Sequence, residues 1–150
     1  MDQIGKGASG ILVLVLCWVV GCGSDPGNQV VVEGVWVRQN IPPQRTTAGY
    51  LVIRNAGSAT ALESATTAVA EVTELHRVSA REDVMYMRKV DRLPIPEGGV
   101  ATLQPGGNHL MLIGLKRDLV PGEKVDILLR FINGQAVTVS AEVKPVGESK

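Results

Sequence analysis

The chain has 150 residues, with 15 basic and 15 acidic side chains, so its formal net charge is zero. Those charges are scattered without a basic stripe, which argues against nucleic acid as a partner. Aromatic residues make up only 3% of the chain, so a core must be built from Val, Leu, Ile and Ala.

At the N-terminus, Lys6 precedes the apolar run Ile11–Val20. That run is too short for a membrane span but suits the core of a signal peptide. It ends in Val19-Val20-Gly21-Cys22, which resembles a bacterial lipobox. By that resemblance residues 1–21 are a signal peptide and the Cys22 thiol carries diacylglycerol. The alternatives are an ordinary secreted protein with an incidental cysteine, or an uncleaved anchor. Gly23-Ser24-Asp25-Pro26-Gly27-Asn28 then reads as part of a flexible tether over residues 22–29. Lipidation would bring more than one acyl chain, enough for stable anchoring. Cys17 would leave with the signal peptide and Cys22 would be capped. The mature chain then has neither free thiol nor disulfide, which suits an oxidising compartment. It also has no thiolate to offer a metal.

Residues 30–145 are expected to form one domain, followed by a short tail over 146–150. Val30–Val37 is β-branched and apolar. Gly49–Asn55 is a second run, ended by Asn55-Ala56-Gly57-Ser58. Ala59–Val72 is rich in Ala and Thr and could hold a helical turn, but its Thr and Val favour strand. Val69–Val78 puts Leu75 on one face and Glu74 with His76 on the other. Val84–Val90 holds Met85 and Met87. Val100–Leu103 precedes the breaker Pro105-Gly106-Gly107-Asn108, and His109–Leu115 follows.

The last two runs alternate apolar and polar: Val125, Ile127, Leu129 and Phe131, then Val137, Val139, Ala141 and Val143. Asn133-Gly134 between them predicts a hairpin with a type I′ turn. Short strands at regular spacing indicate an all-β fold, an antiparallel β-sandwich or barrel.

Apart from Met1, every His and Met lies between His76 and Met111: His76, Met85, Met87, His109 and Met111. Imidazole and thioether are uncharged ligands that together suit Cu(I). A lone His on a strand is usually solvated or hydrogen-bonded, and a Met among Leu and Ile is usually core filler. The faces argue for more. His109, Met111 and Ile113 share one face of their strand, opposite Leu110 and Leu112. A neutral His heading that face is a poor start for a core. Met85, Met87 and Lys89 share a face, as do Glu74 and His76. The glycines before His109 would let the backbone turn tightly and present that side chain at a strand end.

The spacing His76, ten residues, Met87, twenty-one residues, His109, one residue, Met111 is the H-x10-M-x21-H-x-M pattern. It resembles the signature of the periplasmic Cu(I)-binding PCuAC family, formerly DUF461. Glu74-Leu75-His76, Val84-Met85-Tyr86-Met87-Arg88, Ile95-Pro96, Gly49–Asn55 and Pro105–Leu115 also look like that family, so the resemblance covers residues 30–143. It implies a cupredoxin-like (Ig-like) β-sandwich with a shallow, partly exposed Cu(I) site ligated by His76, Met87, His109 and Met111. Met85 is outside the signature and is an auxiliary or transient ligand candidate. The tail Lys144–Lys150 lacks the His and Met residues that some relatives carry there, so a second site is not expected.

The resemblance implies a non-enzymatic metallochaperone. The lipobox sets it apart from the soluble periplasmic members and implies a carrier lipid-anchored on the extracytoplasmic side of a membrane in the bacterial envelope. Its cargo would go to a respiratory oxidase copper centre, directly or through a thiol-bearing copper chaperone. Without a cysteine ligand a blue-copper electron-transfer centre is disfavoured. The alternatives are a copper-sequestering envelope protein, or a metal-free β-sandwich lipoprotein for adhesion or envelope assembly. A hydrolase is disfavoured, because the signature claims both histidines and no G-x-S-x-G motif occurs.

Overall fold

The computed structural model describes residues 30–82 and 84–148. Ten strands succeed one another: β1 (Val30–Arg38), β2 (Thr46–Asn55), β3 (Thr60–Thr67), β4 (Ala70–Arg81), β5 (Val84–Lys89), β6 (Leu93–Ile95), β7 (Val100–Leu103), β8 (Asn108–Leu115), β9 (Lys124–Phe131) and β10 (Ala136–Lys144). No helix occurs among the described residues.

The strands hydrogen-bond in the order β5-β4-β8-β7-β2-β1-β10-β9-β3-β6, and β8 also pairs with β2. Most pairs are antiparallel; β1–β10 and β7–β8 are parallel. Inward side chains from both halves of this sheet meet in one buried cluster. It includes Leu51 and Ile53 of β2, Leu110 and Leu112 of β8, Ile127, Leu129 and Phe131 of β9, and Ala141 and Val143 of β10. The sheet is thus folded over on itself as the expected all-β, cupredoxin-like sandwich, with an aliphatic core.

Several elements differ from their sequence reading. The Ala/Thr-rich stretch is strand β3, with no helical turn. Strand β2 starts at Thr46, because Thr46–Gly49 pair with β8 while Leu51–Arg54 pair with β7. Strand β4 runs on to Arg81 because β5 folds back along it. Strand β6 was not expected: it has three residues, one of them Pro94, and lies at the sheet edge, where a missing N–H is tolerated.

The β9–β10 hairpin is present, but its turn is not type I′. That turn needs positive φ at both central residues. Here Gly134 has φ 85 and Asn133 is not in the left-handed region. The Gly134 N–H donates to Phe131 C=O, and the Phe131 N–H donates to Gln135 C=O. The loop is therefore a three-residue turn with Gly134 in the left-handed position.

The consequence for function lies on the outward face. Strand β8 sits between β4 and β2, so the outer surfaces of β5, β4, β8, β2 and β1 are contiguous. A bulge between Glu33 and Trp36 contains Gly34, at φ 59. It resets β1 so that Trp36 lies opposite Tyr50 on this face.

Candidate metal centre

The β4–β8 register sets His76 directly across from His109 and Glu74 across from Met111. The β4–β5 register sets Val78 across from Met87 and His76 across from Lys89. Directly paired residues share a face of the sheet. His76, Met87, His109 and Met111 thus come from three adjacent strands onto one outward face, although they are far apart in sequence.

The two imidazoles are neighbours, with ring centroids 5.8 Å apart. His109, Met111 and Met87 line a groove of about 440 Å³, bordered also by Arg38, Tyr50 and Val78. Met85 is placed differently. It lies opposite Ala80, two pairs further toward the β4–β5 turn, is 60% exposed, and is not among the groove residues. Met87 is 55% exposed. Cys22 falls outside the described residues.

His109 departs from its expected environment. It does share the outward face with Met111, yet it is only 4% exposed. The aromatic rings of the next strands account for this. Tyr50 stands 6.4 Å from His109, and Trp36 packs on Tyr50 at 4.3 Å. A small aromatic cover therefore closes the interior side of the groove, while the Met87 side stays open.

Each histidine has a partner that fixes which nitrogen is protonated. His76 Nε2 lies 2.9 Å from Glu74 Oε2. A carboxylate only accepts, so Nε2 carries the proton. His76 Nδ1 is then a bare lone pair, and it is buried without any hydrogen-bond partner. In His109 it is Nδ1 that donates, to the Gly107 carbonyl at 3.2 Å. That leaves His109 Nε2 with its lone pair. The Gly107 carbonyl also accepts from the Val78 N–H, which ties the loop before β8 to β4. Tautomer control by a carboxylate and by a main-chain carbonyl is the usual support for metal-binding imidazoles.

The electrostatics favour the neutral form of His109. Burial holds the His109 pKa below the ordinary histidine value, against the opposing hydrogen bond to Gly107, and the nearby Arg38 charge lowers it further. Glu74 is held below the usual carboxylate value, first by the hydrogen bond from His76 and next by that from Lys89. Lys89 Nζ donates to Glu74 Oε1 at 2.7 Å. One carboxylate thus anchors both His76 and the last residue of the methionine strand.

Tyr50, Trp36, Arg38 and the anchoring role of Glu74 were missed from sequence. One signal was available for Tyr50. Leu51 and Ile53 point inward, so alternation puts Tyr50 outward, and an aromatic on an otherwise polar face marks a covered site.

Residues 30–143 match the model of the LpqE-like family, described as "Putative lipoprotein LpqE-like". "Putative lipoprotein Lxx21020" of Leifsonia xyli subsp. xyli (strain CTCB07) is 32% identical over 142 residues, covering 87% of this chain and 84% of that protein. The solution structure of Cu(I)-DR1885 from Deinococcus radiodurans is 34% identical, with a TM-score of 0.63, over 86% of this chain and 85% of that one. The copper-bound PCuAC domain from PmoF2 superposes with a TM-score of 0.66 over 77% of this chain and 92% of that domain; at 20% identity it shows the fold alone. A family match across nearly the whole described sandwich, joined to a relative of matching length, makes this chain a member of the LpqE-like family.

Proposed function

We propose that this protein is an extracytoplasmic Cu(I)-binding metallochaperone, tethered to a membrane through lipidated Cys22. The observation that carries this reading is the β5-β4-β8 register, which gathers His76, Met87, His109 and Met111 on one face. We assign these four as the ligands. Two thioethers and two neutral imidazoles leave the charge of a monovalent ion uncompensated and match soft Cu(I). The orphaned lone pair of buried His76 Nδ1 fits a donor waiting for its ion. The Cu(I)-loaded structure of the Deinococcus radiodurans protein, 34% identical to this chain, supports the same cargo.

The arrangement suits a carrier. The imidazole side is walled by aromatics, and the thioether side is open, so a competing ligand can displace Met87 first. The proposed recipient is a respiratory oxidase copper centre, reached directly or through a thiol-bearing chaperone. A tether would raise the carrier's effective concentration near a membrane-embedded recipient. The lipoprotein naming of the family and of the Leifsonia relative supports the anchor.

X-ray absorption of the Cu(I)-loaded protein tests the ligand set. Both sulfur and nitrogen scatterers are expected, and a spectrum without sulfur would overturn it. Transfer to a purified copper-free oxidase copper-centre domain then separates delivery from sequestration, since a storage protein would retain its copper. Replacing Cys22 with Ser should release the protein from the membrane fraction.

A further inference from the structure

Arg38 is the last residue of β1, and it borders the same groove as His109, Met87 and Met111. Its guanidinium lies 5.6 Å from the centre of the Tyr50 ring. It is half-buried, yet among the described residues no carboxylate pairs with it: the ion pairs there engage Arg54, His76, Lys89 and Arg117. Its Nε is buried and has no hydrogen-bond acceptor. Such an atom ordinarily finds a partner, because leaving it unpaired forfeits hydration without return. Two polar side chains that line the same groove, Asn40 and Thr47, are committed elsewhere. Asn40 Nδ2 donates to Gln44 C=O and to Asp118 Oδ1, and Asn40 Oδ1 accepts from the Leu119 N–H. Thr47 Oγ1 donates to the Arg38 main-chain carbonyl. Tyr50, below the guanidinium, offers a ring face.

We propose that Arg38 is a carboxylate seat: it receives a carboxylate of the molecule that exchanges copper with this protein, and holds that molecule in the groove beside Met87 and Met111. This deepens the copper-carrier reading and rests on it. A guanidinium is the side chain best shaped for a carboxylate, which it can meet with paired N–H donors. With its carboxylate on Arg38, the incoming molecule can place a soft donor next to the open thioether side. Exchange then proceeds as one new donor–copper bond forms and one Met sulfur–copper bond breaks. Copper remains in the +1 state throughout, so no electron moves; a thiol donor binds as thiolate and gives its proton to solvent. Arg38 acts in this by positioning; it is not itself a ligand.

Two chelators provide the test: bicinchoninate, which carries carboxylates, and neocuproine, which carries none. Stopped-flow removal of Cu(I) from the wild-type protein is compared with Arg38→Gln and Arg38→Lys. Removal by bicinchoninate should slow about fivefold in Arg38→Gln, the size of one favourable ion pair, and recover in part in Arg38→Lys. Removal by neocuproine should be unchanged. Equal slowing with both chelators would mean a merely structural role and would overturn the proposal, as would no slowing with either. A second measurement separates this proposal from the copper assignment. In the copper-free wild-type protein, bicinchoninate should shift the Arg38 Nε–H resonance, and high salt should suppress that shift. If the shift occurs in a protein that does not retain Cu(I), the copper assignment falls and the carboxylate seat stands. If Cu(I) binds but the resonance does not respond, the seat falls and the copper assignment stands.

Discussion

His76 and His109 face each other across the β4–β8 ladder, 5.8 Å between ring centroids, each with a different nitrogen left free. Glu74 claims Nε2 of the first, and the Gly107 carbonyl claims Nδ1 of the second. The pair is therefore pre-oriented before any ion arrives. Under the proposed ligand set, two donors held this way would reduce the ordering that binding must impose, and the flexible thioethers would complete the set.

Met87→Leu and Met111→Leu should each weaken Cu(I) retention. The loss should be at least about tenfold, the lower end of what removing groups one step further from a metal costs. Leu replaces Met at similar volume, so unfolding free energy should change by less than about 1.5 kcal/mol. Competition against a coloured Cu(I) chelator, alongside urea unfolding, checks both halves. A double variant with unchanged copper retention would remove the two methionines from the site.

The pH dependence of stability in the copper-free protein should carry a His109 signature. Burial lowers its folded-state pKa below the unfolded value of about 6.5, so between those two values the unfolded chain binds more protons. The stabilising contribution is therefore complete above about pH 6.5 and declines as pH falls toward the folded-state value, where the loss levels off. Urea unfolding across that window should show a shallower slope in His109→Gln than in wild type. Parallel slopes would mean that His109 does not titrate differently on folding. If His109 ligates copper as proposed, the same shift would keep its lone pair available to lower pH than an ordinary histidine would allow.

Local pattern revealed most of the strands but few of their neighbours. Alternation located β9 and β10, and β-branched runs located β1 and β2, because those signals live within one segment. Strand β6 escaped because three residues around Pro94 carry no period. The insertion of β8 between β4 and β2 is a non-local choice that no window of sequence displays. The four signature residues stood out by type and spacing, and the shared face of His109 and Met111 followed from alternation. The burial of His109 did not, since its cover comes from Tyr50 and Trp36 on other strands. The solitary guanidinium of Arg38 is likewise visible only once β1, β2 and β8 are assembled.

Glu74 should matter to copper more than to folding. Glu74→Ala would release His76 to rotate and to change tautomer, lowering Cu(I) affinity by about 10- to 100-fold, the range for carboxylates that orient ligand histidines. Glu74→Gln keeps an acceptor for Nε2–H and should recover much of that affinity. The Lys89 end of its ion pair is 60% exposed, so neither change should shift the thermal midpoint appreciably. Equal affinity in Glu74→Ala and wild type would mean that His76 needs no such anchor, or is not a ligand.

Leu110 and Met111 are adjacent on β8, yet the fold gives them opposite duties. Leu110 is wholly buried in the core cluster, while Met111 lines the groove. Truncating Leu110 to Ala should therefore cost about 2–5 kcal/mol of unfolding free energy, through lost burial and the cavity left behind. Whatever fraction remains folded should keep near-native Cu(I) affinity, because the outward donors are untouched. Met111→Leu should show the reverse, with stability retained and copper weakened. Denaturant midpoints and chelator competition measured on both variants decide the matter. A Leu110→Ala protein of wild-type stability would mean that β8 does not present this side to the core, and the shared outward face of His109 and Met111 would fall with it.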